Sequence, residues 1–173
     1  FNNTSGTGNT NVGFQAGFSN STGTRITMMG YNSGYYNTGS DNTFIGYESG
    51  KGSSGYSNSS NVAVGYRSLY LNRTGTENVS IGKDSMRDAT TSDGTVAVGA
   101  ESLYNVTSGD NNVGLGKQAL YYVTTGAGNV VVGTAALKDN TANNNVAVGR
   151  SALENNVTGV GNIAIGYEAL LTA

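Results

Sequence analysis

An all-β chain built of stacked coils, a parallel β-roll or β-solenoid, is the fold class this sequence predicts. Two observations predict it. A glycine-centred pattern recurs along the whole chain, with anchors at Gly13, Gly30, Gly46, Gly65, Gly82, Gly99, Gly116, Gly133, Gly149 and Gly166. The intervals are 17, 16, 19, 17, 17, 17, 17, 16 and 17 residues. Before each anchor, apolar residues alternate with small or polar ones, which is the periodicity of a short strand. A short fixed period means that each unit cannot bury its apolar surface alone and must stack on its neighbours.

The strand comes first in each unit. One position before the anchor the residue is always apolar, from Val12, Met29 and Ile45 to Val132, Val148 and Ile165. Three before it stand Thr10, Thr27 and Thr43, then Val or Ile in every later unit. Between them lie mostly small residues such as Ala63, Ser80 and Ala97. This alternation assigns the two β-branched columns to the buried face, with Val132 a core residue. The anchor glycine ends the strand, where a missing side chain permits a bend or a close backbone approach.

Asparagine stands four before the anchor in eight of ten units: Asn9, Asn42, Asn61, Asn78, Asn112, Asn129, Asn145 and Asn162. Stacked about 4.8 Å apart, these amides would hydrogen-bond along a ladder. Three after the anchor only Ala or Ser occurs, as in Ala16, Ser33, Ser68 and Ala119. So strict a size limit implies that something packs closely on that column. Leu or Met follows at four after the anchor in the last seven units, Leu69 to Leu170. Thr-Gly or Ser-Gly pairs such as Thr22-Gly23, Thr74-Gly75 and Ser108-Gly109 then supply a turn. Stretches like YRSLY are too short between a glycine and a turn to hold a helix, and read as a second strand or an extended corner.

Composition fits this plan. The 173 residues include 27 Gly and no Pro, Cys, His or Trp, and only 12% are charged, with net charge -2. Mean hydropathy is -0.29. Ten coils would form a rod roughly 50 Å long. Each coil offers few core side chains for much ordered backbone. Together with the Ala/Ser column, that points to chains intertwined or packed laterally as a homotrimer. The chain opens and closes on repeat material, as an excised piece of a longer protein would, with any targeting signal outside it. No apolar run approaches a membrane span, and no basic stripe suits nucleic acid.

The first three units differ from the rest. Gly17, Gly34 and Gly50 replace the leucine, and aromatic residues concentrate there: Phe1, Phe14, Phe18, Tyr31, Tyr35, Tyr36, Phe44, Tyr47 and Tyr56. The 19-residue interval carries the stretch GKGSSGYSNSS, Gly50–Ser60. The chain accordingly divides into 1–58, aromatic- and glycine-rich repeats forming a tip or transition, and 59–173, a regular rod. One reading has Phe18 and Tyr35 fill the volume of the missing leucines. The other makes the aromatics a surface that stacks on sugar rings, with Tyr35, Tyr36 and Tyr56 as ligand-binding residues because they sit in corners or loops.

The columns N-h-x-h-G-Y-x-[AS]-L followed by a Thr-Gly turn resemble repeats of trimeric fibre proteins, the bacteriophage tail fibres and related bacterial surface fibres. NVAVGYRSLYLNRTGTE and NIAIGYEALLTA carry the likeness most closely. More distantly, N-x-h-A-[VI]-G is similar to the head repeats of trimeric autotransporter adhesins, left-handed parallel β-rolls whose repeat is nearer 14 residues. The resemblance implies a homotrimer outside the cell, on a cell surface or virion fibre, that attaches to a host or prey cell-surface glycan. It transfers no site residue, because the matched motif is scaffold.

Enzymatic chemistry finds little support. Without His or Cys the usual general bases, thiol nucleophiles and most metal ligands are missing. No catalytic residue, metal ligand or cofactor is assigned. Asp84 and Glu101, two after the anchor in adjacent units, are the nearest to a glycosidase pair. Their column elsewhere holds Gln15, Asn32, Arg67 and Ser151, as a solvated face would. Gly114-Leu115-Gly116-Lys117 lacks the rest of a phosphate loop. Sequons such as Asn72-Arg73-Thr74 and Asn105-Val106-Thr107 belong to the turn column. The expected function is therefore a non-enzymatic fibre segment mediating attachment. The alternative is a polysaccharide-degrading tailspike rod, and an ice-binding solenoid is disfavoured for want of a flat Thr-x-Thr array.

Overall fold

The computed structural model describes residues 3–171, which leaves Phe1 of the N-terminal aromatics outside them. Each unit contributes one three-residue strand: β1 Thr10–Val12, β2 Thr27–Met29, β3 Thr43–Ile45, β4 Val62–Val64 and β5 Val79–Ile81. The series continues with β6 Val96–Val98, β7 Val113–Leu115, β8 Val130–Val132, β9 Val146–Val148 and β10 Ile163–Ile165. They form one parallel sheet in chain order, β1 to β10. Register is strict, Thr10 pairing Thr27 and Val113 pairing Val130, and it runs unbroken past the insertion, with Thr43 pairing Val62. No helix occurs among the described residues. The chain is an all-β parallel solenoid.

The side chains point the opposite way from the reading of the strand columns. The middle residue of each strand faces inward: Met28, Phe44, Ala63, Ala97, Val131 and Ala147 are fully buried. The two β-branched columns face outward, so Val132 is not a core residue, and Val12, Met29, Ile45, Ile81 and Val132 are 37–53% exposed. Alternation guarantees that neighbours point to opposite faces, but not which face is inside. The corner that follows the anchor decides it. There the chain folds back across the middle residue and buries Leu69, Leu103, Leu120 and Leu137 opposite it. A leucine from the corner and an alanine from the strand together fill the thin coil.

That corner is neither helix nor second strand. The anchor glycines hold φ between +129° and +145°. A Cβ at Gly46 would strike the carbonyl of Gly65 in the next coil, and the same clash recurs along the column. Glycine is required twice over, for its φ and for the approach. The second residue after the anchor is left-handed in every unit, as at Arg67, φ 50°. In most coils the residue three after the anchor donates its N–H back to the anchor carbonyl, as Ser33 N does to Gly30 O at 3.4 Å, closing a type II-like turn. Leu69, Leu103 and Leu137 are left-handed too, φ 49–53°. Burying a leucine contributes about 1.5–3 kcal/mol, which offsets a left-handed cost of about 1–2 kcal/mol.

The Ala/Ser column owes its size limit to the coil itself. Ser33, Ser49, Ser68 and Ser85 are buried, and their hydroxyls donate to strand carbonyls of the next coil, Ser49 Oγ to Ala63 O at 2.8 Å and Ser33 Oγ to Phe44 O at 2.9 Å. The close packing expected on this column is internal, so it carries no argument for a trimer.

Two of the three glycine units are explained by a swap, and in the first Gly17 faces the Asn11 amide. Where the corner has Gly34 or Gly50, the strand supplies Met28 or Phe44 in place of alanine, and a Cβ on either glycine would overlap that side chain. Phe18 is exposed and Tyr35 half-buried, so neither fills the leucine volume.

The asparagine column forms the expected ladder, and from Asn42 to Asn145 it is buried. Asn129 Oδ1 accepts from Asn145 N at 2.9 Å, while its Nδ2 donates to Asn112 Oδ1 and to Ala142 O, each at 3.0 Å. Asn61 and Asn78 repeat the pattern, with Asn78 N donating to Asn61 Oδ1 at 3.0 Å. A second set of buried amides closes turns. Asn72 Oδ1 accepts from Gly75 N and its Nδ2 donates to Gly75 O, both 2.9 Å, so this sequon asparagine is committed to the turn.

Candidate functional site

Three surfaces set this rod apart from inert scaffold. The first is the outer face of the sheet, two columns of Thr, Val, Ile, Met and Leu running from β1 to β10. Parallel sheets are ordinarily covered on both faces. Here the coil covers only the inner one. The strip measures roughly 45 Å by 10 Å from the spacings of strands and residues, and it carries no charged residue.

The second surface borders this strip. The residue after each of the first four anchors joins a ring ladder, Phe14, Tyr31, Tyr47 and Tyr66, with centroids 5.1–5.3 Å apart and planes within 8–13°. Stacking follows from the unit spacing, which matches the separation of offset rings. Consecutive rings cover one another's faces and leave their edges to solvent.

The ligand-binding candidates lie elsewhere. Tyr35 stacks on Phe18 at 5.0 Å and meets Tyr36 edge-on at 4.6 Å, so the structure brings these two together. Both are half-buried. Tyr56 is exposed in the insertion, with the Arg73 guanidinium 5.3 Å above its ring rather than either tyrosine. The Phe18–Tyr35 column continues as Lys51, Tyr70, Arg87, Tyr104 and Tyr121, where cations alternate with rings: Lys51 sits 5.2 Å from Tyr70 and Arg87 5.3 Å from Tyr104.

The third surface is charged, and the sequence reading passed over it. Glu48 is buried and accepts from Lys51 Nζ at 2.7 Å and Arg67 Nε at 2.8 Å. Burial alone would push its carboxyl up, but the bonds and charge of Lys51 and Arg67 prevail and hold it below the ordinary glutamate value. Lys51 in turn is held above its ordinary value: burial opposes this, and Glu48 and Tyr70 outweigh it. The signal was available, since Glu48 and Arg67 stand in one column across one interval and Lys51 follows Glu48 by three residues.

Asp84 and Glu101 are half-buried rather than fully solvated. Asp84 lies 3.7 Å from Lys83 Nζ and 4.0 Å from Arg87 Nε, whereas Glu101 Oε2 accepts from Gln118 Nε2 at 2.8 Å. Among the described residues no group of three His, Cys, Asp or Glu is gathered to hold a metal, and no helix is long and apolar enough to cross a membrane.

Compared with protein-family models, curated proteins and solved structures, the chain matches none. What defines it is its own geometry, a parallel solenoid with one bare apolar face, a ring ladder beside it and a cation-rich corner.

Proposed function

We propose that this chain is a structural, non-enzymatic segment of a homotrimeric fibre that attaches to a cell surface through glycan recognition, outside the cell on a bacterial surface or virion. The bare sheet face carries the reading. Its apolar strip, roughly 450 Å² from those dimensions, is as large as the largest patches of ordinary monomers, about 300–600 Å², which are often functional. Its side chains repeat at the strand spacing along the whole rod, so the surface that matches this pitch over its full length is another copy of itself. Three such faces turned toward a common axis cover one another and leave every corner and insertion outside. This replaces the Ala/Ser column as the support for a trimer.

The glycan component rests on the resemblance to fibre repeats and on the solvent-facing rings in a chain of low charge. Tyr35, Tyr36 and Tyr56 remain the proposed contacts in the N-terminal third. A glycan array on the chain tests attachment, with Tyr36→Ala and Tyr56→Ala as probes. Incubation with bacterial surface polysaccharide tests the tailspike alternative: new reducing ends, lost in Asp84→Asn or Glu101→Gln, would replace this reading with a hydrolase.

A further inference from the structure

The ring ladder next to the sheet stops at Tyr66, because the next residue in that column is Lys83. Tyr47 covers one face of Tyr66 at 5.3 Å, and the other face looks toward the coil of Lys83. The missing rung leaves a recess of about 560 Å³ lined by Tyr66, Arg67, Lys83, Asp84, Arg87 and Tyr104. That volume lies within the ordinary range of small-molecule sites, about 300–1,000 Å³.

Its chemistry is specific. Three cations and one carboxylate line it, in a chain of net charge -2. Lys83 is the freest cation, its side chain 63% exposed and its Nζ 3.7 Å from Asp84 with no hydrogen bond among the described residues. Arg87 is positioned from behind: Nη1 donates to Tyr104 Oη at 2.7 Å and to Asp88 at 3.2 Å, while Nε lies 4.0 Å from Asp84. Arg67 is anchored on Glu48 at 2.8 Å, with its guanidinium 5.1 Å from the Tyr66 ring. Asp84 is only 13% exposed at its side chain and accepts no hydrogen bond among the described residues.

We infer that this recess is a subsite for an acidic sugar unit, a hexuronate within a polysaccharide. The apolar ring face of the sugar lies against Tyr66. Its hydroxyls donate to Asp84, an acceptor-only group short of donors. Its carboxylate takes the free N–H donors of Lys83 and Arg87, charge-assisted bonds that are the stronger kind. The inference rests on the reading that the chain attaches through glycans, and it names the class of glycan. It also places an acidic-sugar site in the middle of the rod, apart from Tyr35, Tyr36 and Tyr56.

The test is titration of the chain with oligogalacturonate and with the same oligomer methyl-esterified, which keeps the sugar and removes its charge. The acid form should bind at least tenfold tighter than the ester, and less tightly as salt rises. Lys83→Ala and Arg87→Gln should each weaken it about tenfold, and Asp84→Asn several-fold. Lys83 is exposed, so its variant keeps the coil intact even if Arg87→Gln does not, which a far-ultraviolet spectrum checks. Equal binding of acid and ester, or affinity unchanged in Lys83→Ala, overturns the inference. An array showing neutral glycans alone overturns the recess but leaves attachment standing. An array with no binding to any glycan sinks both.

Discussion

The ring of Phe44 occupies the space that a side chain at Gly50 would need. One unit later the arrangement is inverted, with Ala63 in the strand and Leu69 in the corner, both fully buried. Phe44→Ala alone should open a cavity and cost about 3–5 kcal/mol. Gly50→Leu alone should overpack, at about 1–3 kcal/mol or more. The double variant reproduces the later units, and Leu69 shows that the left-handed φ of Gly50, 54°, accepts leucine. Its cost should therefore fall well below the sum of the two. A double-mutant cycle in urea reads the coupling, and additive losses would show that the two positions do not share one volume.

Asn129→Ala should cost about 2–3 kcal/mol, because buried groups left without partners carry about 1–3 kcal/mol each. The variant strands Asn145 N and removes the 3.4 Å acceptor of Asn145 Nδ2, while Ala142 O keeps the Asn140 amide at 2.9 Å. Chemical denaturation measures it, and a change near zero would mean that water replaces the ladder.

Val132→Ala should cost the coil itself less than Asn129→Ala does, since Val132 is 39% exposed on the single chain and leaves no closed cavity within it. Val132→Asp is the sharper variant. A charge in the middle of the bare face should abolish association while the far-ultraviolet spectrum of the coil persists. Unchanged association would move the interface elsewhere on the rod.

Glu48 makes the stability of the third and fourth coils depend on acid. Its carboxyl is depressed in the folded chain, so its contribution is complete above the ordinary glutamate value, about 4.3. As pH falls from there through the lower folded value, the unfolded chain binds the proton first and stability drops. Glu48→Gln should lower stability at pH 7 by about 1–2 kcal/mol, between an exposed pair and a broken buried one. Thermal melts at pH 7 and pH 3 check this: the gap between wild type and variant should narrow at pH 3, and a constant gap would contradict the ion-pair assignment.

The architecture was legible because it is periodic. Ten anchors set the number of strands, and the alternation around them set the strand positions to the residue. The direction of the side chains was not legible. Val132 and Val131 are both apolar, and only the corner carrying Leu137 decides that Val131 is buried. The column Ala16 to Ala169 showed its size limit plainly, but sequence could not say whether the neighbour was another chain or the same coil. Three residues of the recess, Arg67, Lys83 and Arg87, lie 16 and 4 apart, and no local motif joins them. The missing ring at Lys83 was the available sign.

The central claim is that the bare sheet face closes on copies of itself. Sedimentation equilibrium of the chain at micromolar concentration measures this directly. The account predicts a single species of three times the 17.7 kDa chain mass, reverting to one chain in Val132→Asp. A folded species of one chain mass in the unaltered protein would contradict it.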